Sequence, residues 1–163
     1  DDVLREAERS AAVTHDHPEG VKGARAVALA VFLARSDGTK GEIRDELQRR
    51  FGYDLSRRLD EIRPSYSFDV TAAGSVPEAI IAFLESESWE SAVRNAISLG
   101  GDADTMACIA GGIAEGFHGL PPEIAATASD YLDESQRTVV AEFRKRFVDG
   151  RGRLLRSGPS PVR

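Results

Sequence analysis

Three segments of the chain, residues 21–35, 77–85 and 103–117, are apolar, rich in alanine and glycine, and patterned as helices. Because small side chains let helix axes approach closely, we expect these three helices to form the packed centre of the fold. Residues 26–34 are apolar on nearly every face, which predicts a helix that is buried on all sides. The sequence contains no convincing set of strands and no internal repeat, so it predicts an all-α fold.

The other segments also carry helix signals, and capping boxes mark two of the predicted starts. Thr39 with Glu42 predicts a helix over residues 40–51, and Ser75 with Glu78 predicts one that begins at Pro77. Further helices are predicted over residues 2–12, 55–62, 89–99, 123–132 and 134–147, with a break at 13–20. Residues 65–74 alternate apolar and polar side chains over a short stretch, which we interpret as an extended loop.

Charge and composition limit the classes of partner. A net charge of −6 and a pI of about 5.1 oppose non-specific binding to nucleic acid and suit a protein that collects cations. The longest apolar run is too short to span a bilayer and nothing resembles a signal peptide, so we expect a cytoplasmic protein without a membrane partner. The single cysteine, Cys108, lies in an apolar stretch and is predicted to be a buried thiol.

The two ends lead to expectations about the extent of the domain. The only methionine is Met106, and the chain opens directly in a helical pattern, so we expect that upstream sequence has been removed. Residues 149–163 are rich in Gly, Pro, Ser and Arg and have no periodicity, which predicts a flexible tail. Residues 1–148 are then the C-terminal part of one domain.

The most informative segment is residues 98–105, Ser-Leu-Gly-Gly-Asp-Ala-Asp-Thr. Asp102, Asp104 and Thr105 place two carboxylates and a hydroxyl within four positions at a helix start, and magnesium prefers such oxygen ligands. The glycine pair, Gly100 and Gly101, lets the backbone approach a ligand closely. The alternative is that Asp102 is only an N-cap and Asp104 only a favourable charge in the first turn. The pattern alone leaves both interpretations open.

A second polar segment, residues 14–20, contains two histidines and two acids. These side chains could bind zinc, but no cysteine or third histidine lies near them in sequence. One alternative is a polar loop with an exposed histidine. The other is a segment that contacts ligand hydroxyls or phosphates.

Taken together, these strings resemble the ADP-ribosylglycohydrolase family, which includes the enzyme that reactivates dinitrogenase reductase. The resemblance covers roughly residues 2–147. The matching pieces, in order, are Thr14-His15 with His17-Pro18-Glu19-Gly20, then Gly74-Ser75-Val76-Pro77-Glu78-Ala79, then Asn95 to Thr105 with its Gly-Gly-Asp-x-Asp-Thr string, and then Ala110-Gly111-Gly112-Ile113-Ala114.

The resemblance implies a compact all-helical orthogonal bundle with a binuclear magnesium centre in a cleft. In such enzymes the metals hold the ribose hydroxyls and a water, which attacks the anomeric carbon and releases ADP-ribose from its acceptor. By resemblance, Asp102, Asp104 and Thr105 are metal ligands. Gly100 and Gly101 line the cleft near the ribose, and by the same resemblance the His15 side chain contacts the bound ADP-ribose or ADP-ribosylated substrate.

The chain departs from the family pattern in one respect. Family members carry a second metal motif, Thr-Asp-Asp-Thr, together with an acidic residue that helps to activate the water, and neither occurs in these 163 residues. We therefore expect the catalytic residues upstream, a full-length parent that is a magnesium-dependent hydrolase, and a fragment that is inactive or nearly so alone. The alternative is a non-catalytic helical module that binds ADP-ribose or forms a homo-oligomer through exposed apolar surface.

Overall fold

The computed structural model describes residues 1–148, and the regular elements of this range are helices. In chain order they are α1 (Asp2–Ala12), α2 (Pro18–Arg35), α3 (Lys40–Phe51), α4 (Leu59–Ile62), α5 (Ala72–Leu84), α6 (Trp89–Ser98), α7 (Ala103–His118), α8 (Pro122–Asp130) and α9 (Glu134–Phe147). The predicted all-α fold class is confirmed. Within the described range, no helix is long and apolar enough to cross a membrane.

The chain divides into two compact units, residues 1–118 and residues 119–163, and the second is described as far as residue 148. The first unit contains the hydrophobic core, whose largest fully buried side chains are Phe83, Ile43, Leu47, Ile80, Ile81, Met106 and Ile113. The second contains α8 and α9, neither of which has a buried residue. A single domain over residues 1–148 stays a prediction, and the predicted tail lies outside the described residues.

The packed centre is formed as predicted, because α2, α5 and α7 contact one another in the first unit. A small residue is required where α2 meets α5. A Cβ atom added at Gly23 would lie 2.9 Å from the Cβ of Ala72 and 3.2 Å from Val76. Such close approach of two backbones brings the apolar faces of both helices into full contact.

The prediction that α2 is buried on all sides is wrong. Ala26 and Ala30 are fully buried, but Phe32 is 46% exposed. Beside them, α1, α2, α5 and α7 leave an apolar groove of about 470 Å³, lined in part by Val27 and Ala28. An apolar surface on every face favours burial on every face, yet the neighbouring helices of the first unit cover only part of α2.

Two predicted helix starts have different outcomes. Thr39 and Glu42 form the predicted capping box at the start of α3, with the Thr39 amide donating to Glu42 at 2.8 Å. The predicted box at Ser75 is wrong, because Thr71 caps α5 by accepting the Gly74 amide at 3.1 Å. Ser75 is buried inside that helix, and its hydroxyl donates to the Thr71 carbonyl at 2.9 Å.

Smaller differences concern the ends of two other helices. Pro18 was expected in the break between α1 and α2, but it is the first residue of α2. Proline is well tolerated at that position because the first helical amides have no partner within the helix. The helix predicted over residues 55–62 is a single turn, Leu59–Ile62.

Candidate metal centre

A left-handed glycine pair connects α6 to α7 and directs the start of α7. Gly100 has a φ of 75° and Gly101 a φ of 66°, a region that residues with a Cβ atom rarely adopt. Immediately after this pair, the carbonyl of Asp102 accepts the amide of Met106 at 3.0 Å, which closes the first turn of α7. The turn therefore places Asp102, Asp104 and Thr105 together on the first turn of one helix, as the sequence predicted.

Asp102 lies immediately before α7, and Asp104 is the second residue of that helix. The interaction with the Asp102 side chain is the main reason that the pKa of Asp104 lies below its usual range, followed by hydrogen bonds from the backbone amides of Thr105 and of Asp104 itself. The Thr105 amide donates to Asp104 Oδ1 at 2.9 Å. When both carboxyl groups are ionised they repel each other, and a cation between them would remove that repulsion.

The donor set of this turn fits magnesium in chemistry and in exposure. Asp104 and Thr105 are exposed and Asp102 is half-buried, so two carboxylates and a hydroxyl reach solvent on one turn. Magnesium accepts such oxygen ligands and commonly keeps water at its remaining positions. The Thr105 amide engages only one oxygen of Asp104, so a favourable charge in the first turn and cation binding are compatible. Residues 1–148 contain no cluster of three or more His, Cys, Asp or Glu side chains that could hold a metal ion.

Sequence reasoning missed a tyrosine that packs against the second glycine of the pair, Gly101. A Cβ atom added at Gly101 would lie 2.7 Å from Cε1 of Tyr66, so the ring occupies the space of a side chain at that position. At Gly100 an added Cβ would meet nothing within 4 Å, which leaves that backbone open to a ligand. The only sequence signal for Tyr66 was its place in the alternating segment, and this alternation predicted a loop without a role.

The structure does not bring His15 into contact with this turn. His15 is exposed in the connection between α1 and α2, where its Nδ1 lies 2.8 Å from the Thr14 hydroxyl. Among the described residues, no hydrogen bond or ion pair joins it to residues 100–105. His17 acts as the N-cap of α2, and its Nδ1 accepts the Glu19 amide at 3.2 Å. A ligand contact for His15 therefore stays a prediction.

The thiol of Cys108 is exposed, so the prediction of a buried thiol is wrong. Cys108 lies four positions after Asp104, and residues four apart share one face of a helix. The apolar stretch around Cys108 belongs to the opposite face, where Met106 and Ala110 are fully buried.

Comparisons with known proteins give a family and, among the matching relatives, a protein from Archaeoglobus fulgidus. The sequence model of a family described as ADP-ribosylglycohydrolase matches residues 1–154. An uncharacterized protein from Archaeoglobus fulgidus is 30% identical over 131 residues, which cover 71% of this chain and 43% of the relative. The chain thus spans less than half the length of that relative. No solved structure matches the chain.

Proposed function

Because this chain belongs to the ADP-ribosylglycohydrolase family, we propose that it supplies one part of a magnesium-dependent site that removes ADP-ribose from a modified protein or small molecule. Family membership supports a glycohydrolase-type function broadly. The identity of the metal, the identity of the substrate and the idea that this chain supplies only one part of the site are our proposal. The observation that carries it is the placement of Asp102, Asp104 and Thr105 around the start of α7, directly after the left-handed glycine pair.

In this proposal Asp102, Asp104 and Thr105 hold the magnesium ion. A bound magnesium ion would supply Lewis-acid chemistry, by polarising a water and holding sugar hydroxyls. Gly100 is the better candidate for close backbone approach to the ribose, because the space beside it is open. Gly101 instead allows the left-handed turn, since the Tyr66 ring occupies the space beside it. Asp102 and Asp104 would also fix the position of the ion, because one lies immediately before α7 and the other in its first turn.

We expect the chain alone to bind but not to turn over substrate. Three candidate ligands leave the other magnesium positions to water, and a two-metal mechanism requires both ions to be clamped. The motif that would clamp the second ion does not occur in this sequence. Weak binding of ADP-ribose without hydrolysis also fits the alternative of a non-catalytic binding module.

The test is calorimetric titration of the 163-residue chain with Mg²⁺, and then with ADP-ribose in the presence and absence of Mg²⁺. The key variant is Asp102→Ala with Asp104→Ala. A matched control is Asp2→Ala with Asp45→Ala, which removes two exposed carboxylates from α1 and α3. We expect the control to bind Mg²⁺ like the unsubstituted chain and the key variant to lose binding.

Three outcomes would contradict parts of the proposal. Equal Mg²⁺ affinity in the two double variants would exclude Asp102 and Asp104 as ligands. ADP-ribose binding that is independent of Mg²⁺ would remove the metal from the proposed function. Hydrolysis of an ADP-ribosylated substrate by the chain alone would contradict the expected inactivity.

A further inference from the structure

We propose that Tyr66 is the positioning residue of the Asp102–Asp104 site, because its ring and hydroxyl fix the left-handed turn from which both carboxylates emerge. The inference rests on the proposed function for what the turn holds. The packing of Tyr66 against that turn is independent of any ligand.

The first contact is between the Tyr66 ring and Gly101. The ring lies where a Gly101 side chain would be, with Cε1 at 2.7 Å and Cδ1 at 3.4 Å from an added Cβ atom. The carbonyl oxygen of Ser67, the next residue of the loop, lies 3.3 Å from the same position. Gly101 is therefore held against the loop, and the turn has little room to relax toward it.

The second contact is made by the Tyr66 hydroxyl. It donates to the carbonyl of Gly74 in the first turn of α5 at 3.0 Å and lies 3.3 Å from Sδ of Met106. Met106 is fully buried and is the residue whose amide bonds to the Asp102 carbonyl. A hydroxyl between Gly74 and Met106 thus links the start of α5 to the first turn of α7.

The Tyr66 backbone is itself anchored. Its amide donates to the carbonyl of Ile62 at 3.0 Å, and Ile62 is a buried residue at the end of α4. Burial raises the pKa of Tyr66, and the nearby carboxylates of Glu78, Asp69 and Asp102 raise it further, so the hydroxyl stays protonated and able to donate. Tyr66 therefore joins α4 through its backbone amide, and α5 and the α6–α7 turn through its side chain.

The experiment is a double-mutant cycle that separates the two glycines. Gly100→Ala and Gly101→Ala each force a residue with a Cβ atom into a left-handed conformation, but only the second meets the Tyr66 ring. Each substitution is made in the unsubstituted chain and in a Tyr66→Ala background. Mg²⁺ affinity is measured by calorimetry and stability by urea unfolding.

We expect Gly101→Ala to weaken Mg²⁺ binding and stability less in the Tyr66→Ala background than in the unsubstituted chain. The effect of Gly100→Ala should be the same in both backgrounds. Tyr66→Phe keeps the ring and loses the hydrogen bond to Gly74, so we expect about five-fold weaker Mg²⁺ binding and a melting temperature lower by about 2–5 °C. Amide resonances of residues 100–106 should shift in that variant.

The control for Tyr66→Phe is Tyr53→Phe, which removes a buried hydroxyl that has no hydrogen-bond partner. We expect this control to leave Mg²⁺ affinity unchanged. The inference is overturned if Gly101→Ala has the same effect with and without Tyr66, or if Tyr66→Phe binds Mg²⁺ like the control. If the unsubstituted chain binds no Mg²⁺, the proposed function fails, and the stability arm of the cycle alone decides whether Tyr66 fixes the turn.

Discussion

Nη1 of Arg57 lies 2.9 Å from Oε1 of Glu78, while the other carboxylate oxygen of Glu78 is buried without a hydrogen-bond partner. The side chain of Glu78 is only 9% exposed, whereas that of Arg57 is 38% exposed. A nearly buried carboxylate on α5 is therefore compensated by one arginine that lies just before α4. Removal of the arginine would leave the carboxylate desolvated and unpaired.

We predict that Arg57→Ala lowers the free energy of unfolding by about 2 kcal/mol, measured by urea denaturation. Adding Glu78→Gln to that variant should restore part of the loss, because a neutral amide costs less to bury than a carboxylate. The control is Arg94→Ala, which breaks a surface ion pair with Glu90 and should cost less than about 0.5 kcal/mol. Equal losses for Arg57→Ala and Arg94→Ala would contradict the prediction.

The start of α5 gives a second prediction. Thr71→Ala should lower the free energy of unfolding by about 1 kcal/mol, because the hydroxyl that accepts the Gly74 amide is lost. Thr71→Asp should keep most of the stability, since aspartate is an equally good N-cap. Urea unfolding of both variants is the measurement. If the two variants have the same stability, Thr71 does not cap the helix.

The start of α5 also illustrates which features of the fold could be predicted from the sequence and which could not. The helix α3, whose cap is unambiguous in the sequence, has the predicted bounds, and so does α9. At α5 two caps competed, and only Ser75 had a glutamate three residues later. Tertiary burial of Ser75 decided in favour of Thr71, and that burial has no local sequence signal.

The candidate site divides in the same way between local and long-range information. Asp102, Asp104 and Thr105 are neighbours in sequence, so a helix start is sufficient to bring them together. Tyr66 reaches the turn from 35 positions before Gly101, through packing of the loop between α4 and α5. Periodicity and capping carry no information about such a contact, because both describe one segment at a time.

A third prediction concerns the pH dependence of stability. It rests on His118, the last residue of α7, and its contact with Ser86. His118 Nε2 lies 3.2 Å from the buried Ser86 hydroxyl, and the Lys40 ammonium donates to the Ser86 carbonyl. Burial, followed by the Lys40 charge, lowers the pKa of His118 below its ordinary value of 6.5. Burial lowers the pKa of Lys40 itself, and the nearby carboxylate of Glu87 raises it.

The sign follows from proton linkage. Between the lowered pKa of His118 and 6.5, the unfolded chain binds a proton that the folded chain does not. The free energy of unfolding therefore rises with pH across that window and falls as the pH drops from 6.5 toward the lowered pKa of His118. His118→Gln should remove this part of the pH dependence, measured by urea unfolding at several pH values. Lys40→Met should bring the pKa of His118 closer to 6.5 and so narrow the pH range over which stability changes. If both variants keep the pH profile of the unsubstituted chain, His118 is not the source of this pH dependence.

The last prediction concerns self-association, which the exposed apolar surface of α9 favours. Val139, Val140, Phe143 and Phe147 are all exposed, and the two phenylalanine rings lie 5.0 Å apart. A 14-residue helix without a buried residue is only marginally stable in water, and burial of apolar surface contributes about 25 cal/mol per Å². We expect light scattering to show association that increases with protein concentration. The double substitution Phe143→Ser with Phe147→Ser should abolish this association. The control Tyr131→Ser changes a highly exposed residue outside α9 and should leave the association intact. Association that survives the double substitution would place the interface elsewhere, and a monomer at every concentration would exclude one.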